Sequence, residues 1–276
     1  MSDTKLRTVT YRAPRRGRRA LLCLLLGAAI LGVSWQVQTR LGVARPFSLS
    51  FGKKTDARDG ARVSREIALP ARTLYALQLG AFTQENAANQ LAQEFSARGA
   101  AGCVCRDGDA YRVLAAAYPT RAEAQAVQTR LNAQNISTYI HPCAQEGMTL
   151  RAGGTAAQVE AFSDALSYLT SLDGKLYTLS CALDARQLAA AEARDALLSE
   201  AVTSAALCER LLSAFGASMT APLSALADTL RAVADTAETV RADAGAARIG
   251  AALKRGQLAA FLGVGAFCEA ARSSSD

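Results

Sequence analysis

The chain has 276 residues, half of them apolar, yet only 6% are aromatic and alanine supplies much of the apolar share. That balance suits close-packed helices better than a bulky β-sandwich core, and Pro and Gly are too few for a disordered or fibrous chain. The net charge of +7 is localised: residues 1–20 hold seven basic groups against one acidic, 21–72 eight against three, 73–142 five against five, and 143–276 eleven against fifteen. A domain that tracks phosphates carries its basic charge on its fold, so this distribution argues against nucleic acid as a partner.

In chain order, Arg15, Arg16, Arg18 and Arg19 abut an apolar run over 20–33, ALLCLLLGAAILGV. With Ser34, Trp35, Gln36 and Val37 the run reaches about 18 residues, near the lower limit for crossing about 30 Å of hydrocarbon. Trp35 falls where an interfacial aromatic is expected. The sequence therefore predicts a basic cytoplasmic tail over 1–19 and a transmembrane helix over 20–37. The protein is expected in the cell membrane, single-pass, with its C-terminal bulk extracytoplasmic. A cleaved signal peptide is the competing reading; the segment is longer than a usual h-region and shows no clear A-x-A site. Residues 38–72 contain Gly42, Pro46, Gly52, Gly60 and Pro70 without a sustained period, which predicts a flexible linker.

The middle of the chain repeats itself at a shift of 36 residues. YALQLGAFTQENAANQLAQEFSARG, from Tyr75, aligns without gaps on YRVLAAAYPTRAEAQAVQTRLNAQN, from Tyr111. Each copy passes from period two to a helical period after its second aromatic, Phe82 or Tyr118, so each half is a strand followed by a helix. GCVCRDGDAY between them reads as a strand and a turn at Asp107-Gly108, and ISTYIH closes the unit as a last short strand. The predicted fold class is α+β: a split βαββαβ (ferredoxin-like) domain over 73–143, with both helices on one face of an antiparallel sheet. Strand alternation then turns Leu77, Leu79, Val113 and Ala115 toward the helices, and Gln78 and Arg112 away from them, onto an open sheet surface.

LYALQLGAF, followed by YRVLAAAY, resembles the paired signature of SPOR (sporulation-related repeat) domains. The resemblance spans the whole domain. It implies binding of septal peptidoglycan, above all glycan strands stripped of stem peptides, on the open sheet face, with Gln78 and Arg112 as the glycan contacts. Two departures stand out: Leu114 occupies a position often polar or basic in the family, and Ala116 replaces a frequent glycine.

Residues 152–272 are rich in Ala and Leu and predict an all-α helical bundle forming a separate domain, with Gly153-Gly154 as the joint. Leu223, Leu226, Leu230, Val233, Ala237, Val240, Ala244 and Ala247 make one seam, behind Pro222 in a first helical turn. Val159, Phe162, Leu166 and Leu169 begin another; further helices are expected over 185–215 and 257–271.

Catalytic equipment is sparse. His141 is the only histidine and reads as a surface residue at a strand end; one histidine cannot supply the sets usual in zinc hydrolases. No G-x-S-x-G and no phosphate loop occurs, so no catalytic residue, cofactor or metal is expected, and the chain reads as a non-enzyme. The leading expectation is a membrane-anchored, peptidoglycan-binding envelope protein linked to division or sporulation. The alternative is a protein–protein adaptor that recruits a division or sporulation partner through its C-terminal helices, with a degenerate SPOR-like domain. An RNA-binding sheet would need paired aromatics on its central strands and a basic face, which are lacking here.

Overall fold

The computed structural model describes residues 47–51, 62–240 and 242–274; the predicted tail and transmembrane helix lie outside the described residues. Among the described residues no helix is long and apolar enough to cross a membrane. The segment expected as a flexible linker contributes two strands, β1 (Phe47–Ser50) and β2 (Val63–Leu69). Next come β3 (Arg72–Phe82), α1 (Glu85–Ala97), β4 (Cys103–Asp107), β5 (Ala110–Tyr118), α2 (Arg121–Asn132) and β6 (Tyr139–Gln145). These give the expected βαββαβ unit, an antiparallel sheet in the order β4-β5-β3-β6.

Local chemistry explains the boundaries. Gly108 (φ +59°) supports the tight β4–β5 turn, a backbone region that a side chain disfavours. Thr120 caps α2 by accepting from the Glu123 amide at 3.2 Å, while the Glu123 carboxylate takes the Thr120 amide at 3.1 Å, a reciprocal capping box.

A seventh strand, β7 (Met148–Gly154), was not foreseen. It pairs parallel to β1 and antiparallel to β2, making a second sheet of order β1-β7-β2. This partner is what orders part of the segment that looked like a tether. Gly153 and Gly154 end that strand, so they do not form a joint between domains. Phe51, just past β1, packs on Phe162 and Phe215 with ring centroids 5.5 and 4.8 Å away.

The remaining chain is helical: α3 (Ala156–Asp184), α4 (Ala190–Phe215), α5 (Ala221–Asp235) and α6 (Ala246–Ser273). Pro222 sits in the first turn of α5, and Leu223, Leu226, Leu230 and Val233 are fully buried. The expected seam then breaks at a 3-10 turn over Thr236–Thr239. The last helix starts at Ala246 rather than near residue 257, because Ile249, Ala252 and Leu253 add a further buried stripe.

The bundle is not separate from the βαββαβ unit; Ala44–Asp276 form one compact unit. Leu258 and Phe261 of α6 are buried against the sheet. Polar contacts surround them: Gln257 Nε2 donates to the Ala117 carbonyl at 3.1 Å, Arg255 Nε to the Ala101 carbonyl at 3.0 Å, and Gln145 Nε2 to the Phe261 carbonyl. Each of the two apolar side chains contributes about 1.5–3 kcal/mol by leaving water.

Candidate functional site

The sheet has two unlike faces. Leu77 and Ala115 cluster with Ala124 and Ile140, and Val113 with Ala88 and Ala92, so these strand residues face α1 and α2 as expected. Gln78 and Arg112 lie on the other face. That face is only partly open, which corrects the expectation of an uncovered surface. Leu74, Ala76, Leu114 and Ala117 are sealed beneath α6. The cause is the apolar character of these positions: Leu114, where the family often has a polar group, is 0% exposed.

The uncovered end keeps the polar side chains. Strand pairing slips between Leu77 and Gln78 and again between Gln78 and Gly80, an irregularity at the site itself. Arg112 Nε donates to Asp107 Oδ2 at 2.6 Å and its Nη1 to Gln78 Oε1 at 2.9 Å. One planar guanidinium thus ties β4, β5 and β3 together and holds the Gln78 amide in place. Tyr139 stands opposite Gln78 in the pairing with β6 and is 62% exposed. Ile140 turns to the helices, so Tyr139 and His141 turn to this face.

Partial burial, aided by the Arg112 charge and opposed by Asp107, holds the His141 imidazole below its ordinary pKa. It is therefore neutral at neutral pH, with one ring nitrogen donating and one accepting. Burial pushes the nearby thiols of Cys103 and Cys143 up to about 12 and about 11. Protonated thiols are poor nucleophiles and poor ligands. Among the described residues no group of three or more His, Cys, Asp or Glu could hold a metal ion.

The arrangement pairs the Arg112 and Asp107 charges and fixes the Gln78 amide beside an exposed aromatic ring, that of Tyr139. It can hydrogen-bond an uncharged polar chain. Sequence reasoning selected Gln78 and Arg112 and missed Asp107, Tyr139 and His141. The alternation in ISTYIH carried the signal for the last two, since one inward isoleucine fixes both neighbours outward. Asp107 was taken only as a turn residue.

The family model for the SPOR domain matches residues 71–141. This segment is thus a SPOR domain, a module that generally binds peptidoglycan in cell division. No curated protein and no solved structure matches the chain.

Proposed function

We propose that the protein is a non-enzymatic envelope protein that holds denuded peptidoglycan glycan strands at the uncovered end of its SPOR sheet, in the service of division or sporulation. The observation that carries this reading is the Arg112 guanidinium fixed between Asp107 and Gln78, beside Tyr139 and His141. Sugar hydroxyls and acetamido groups need paired donors and acceptors without net charge, and this end of the sheet offers them. The N-terminal apolar segment serves as a single-pass membrane anchor in the same proposal. Sedimentation of the full chain with purified sacculi, before and after amidase stripping, tests the proposal. Binding should rise after stripping; equal retention on bare cellulose would overturn it.

A second reading, an adaptor acting through the bundle, is favoured by one feature. Val202 and Leu198 of α4 project outward at 70% and 38% exposure, one turn apart. Replacing both by Glu should abolish capture of a division or sporulation partner by crosslinking in cells, while leaving sacculus binding intact.

A further inference from the structure

Helices α1 and α2 lie on the face of the SPOR sheet opposite Gln78, and a cleft of about 350 Å³ opens between them. Leu77 and Ala115, 1% and 7% exposed, make its floor. Phe95 of α1, Val127 and Leu131 of α2, and Ile136 just beyond α2 make its walls. A mostly apolar cleft of this size falls at the small end of ligand sites, which run from about 300 to 1,000 Å³. It has room for a single short alkyl chain rather than for a two-chain lipid.

The rim of the cleft is charged. Arg98, the exposed C-cap of α1, stands there with its guanidinium 4.9 Å from the centroid of the Phe95 ring. An apolar wall thus itself holds a cation at the mouth. Lys254 of α6 and Asp184 of α3 complete the rim. Lys254 Nζ pairs with Asp184 Oδ2 at 2.9 Å and donates to the Gly99 carbonyl at 3.2 Å, so these two charges cancel. What remains at the mouth is the positive charge of Arg98. A cationic ligand is disfavoured beside it, and an uncharged sugar finds few hydrogen-bonding partners among such walls. Apolar depth beneath one guanidinium matches an alkyl chain with an anionic head, since a carboxylate accepts two parallel hydrogen bonds from that group.

We propose that the cleft between α1 and α2 binds a single-chain anionic amphiphile of the fatty-acid kind, with its carboxylate on Arg98 and its chain over Leu77 and Ala115. The site lies on the other side of the sheet from Gln78 and Arg112 and does not depend on the glycan reading.

Photolabelling of the full chain, reconstituted in lipid vesicles, is the test. The probe is decanoate carrying a terminal diazirine, used below saturation, with the labelled residues located by mass spectrometry. Label should fall on residues 77–79, 95–100, 115–118 and 127–136, and it should be displaced by decanoate but not by decyltrimethylammonium. Arg98→Glu, at an exposed position, should cut this labelling about threefold or more, the scale of an exposed ion pair turned repulsive. Asp184→Asn leaves Lys254 uncompensated and should raise labelling about twofold, a gain that damage to the fold would not produce. Val127→Phe narrows the cleft from a half-buried position and should lower labelling as well. Label confined to the N-terminal apolar segment, equal displacement by both amphiphiles, or undiminished labelling in Arg98→Glu would overturn the proposal.

Discussion

Leu114 of β5 and Phe261 of α6 share one buried cluster, 0% and 2% exposed, on the face of the SPOR sheet that α1 and α2 do not touch. Each needs the other covered. Phe261→Ala should therefore destabilise the whole compact unit by about 3–5 kcal/mol, through lost transfer energy and a cavity, as read by urea unfolding. The same variant should speed alkylation of Cys103, which packs against this cluster and whose thiol burial pushes up to about 12. Faster unfolding with an unchanged alkylation rate in the native state would show that α6 does not shield that thiol.

The second expectation concerns separability. Leu150 and Ala152 of β7 are fully buried in the same core as Leu166, Leu169 and Phe267 of the bundle. A fragment from Gly153 to Asp276 lacks that cover and also exposes Leu258 and Phe261. It should melt broadly and bind a hydrophobic dye, whereas residues 44–276 should melt in one cooperative step. A sharp transition for the short fragment would make the bundle an independent domain after all.

Helix α6 meets α5 at a point without a side chain. A Cβ on Gly263 would lie 2.1 Å from Thr229 Oγ1 and 2.3 Å from its Cγ2. Gly263→Ala should cost about 1–3 kcal/mol by overpacking, despite the better helix propensity of alanine. Adding Thr229→Ala removes both of those atoms and should recover part of the loss. Lack of any recovery in thermal melts would place the strain elsewhere.

The SPOR unit was legible because it is written twice: Tyr75 and Tyr111 open the same strand-then-helix pattern, and periodicity reports local structure faithfully. The outward placement of Gln78 and Arg112 followed from alternation, their role as glycan contacts only from the family resemblance, and the structure brings the two into one hydrogen bond. What stayed hidden depends on contacts between distant segments. Nothing local in Phe47–Ser50 or Met148–Gly154 announces that they will pair across about a hundred residues of chain. The cover by α6 was equally invisible, although Leu114 on a face expected to be polar was its trace. Helical periodicity gives the stripe that Leu258 and Phe261 belong to, but not the surface that the stripe will meet.

His141 offers a titration that reports on the site. Its folded pKa lies below the ordinary value because of partial burial first and Arg112 second, with Asp107 acting the other way. Arg112→Ala should raise it part of the way back, and Asp107→Asn should lower it further, both followed by the imidazole proton shifts. The sign for stability follows. With the folded pKa depressed, the unfolded chain binds the proton more readily, so stability falls as pH drops below about 6.5 toward the folded value and is flat above it. A rise in the His141 pKa on removing Asp107 would mean that the carboxylate does not face the ring.

The last prediction separates recognition from folding. Gln78 and Arg112 are half-buried at the uncovered end, and Arg112 spends two of its groups on Asp107 and Gln78. Arg112→Ala and Gln78→Ala should each weaken sacculus binding by about 0.5–3 kcal/mol, the worth of one or two hydrogen bonds. Arg112→Ala also frees Asp107, which is about half exposed and can return to water, so the cost to stability should stay near 1 kcal/mol or below. Leu77→Ala should do the reverse. Leu77 is 1% exposed between the sheet and α2, and its truncation should cost about 2–5 kcal/mol through the cavity it leaves. Binding by the Leu77 variant, measured well below its melting temperature, should stay near that of the wild type. A Gln78→Ala, Arg112→Ala double variant that keeps both native stability and full sacculus binding would remove this end of the sheet from the glycan site.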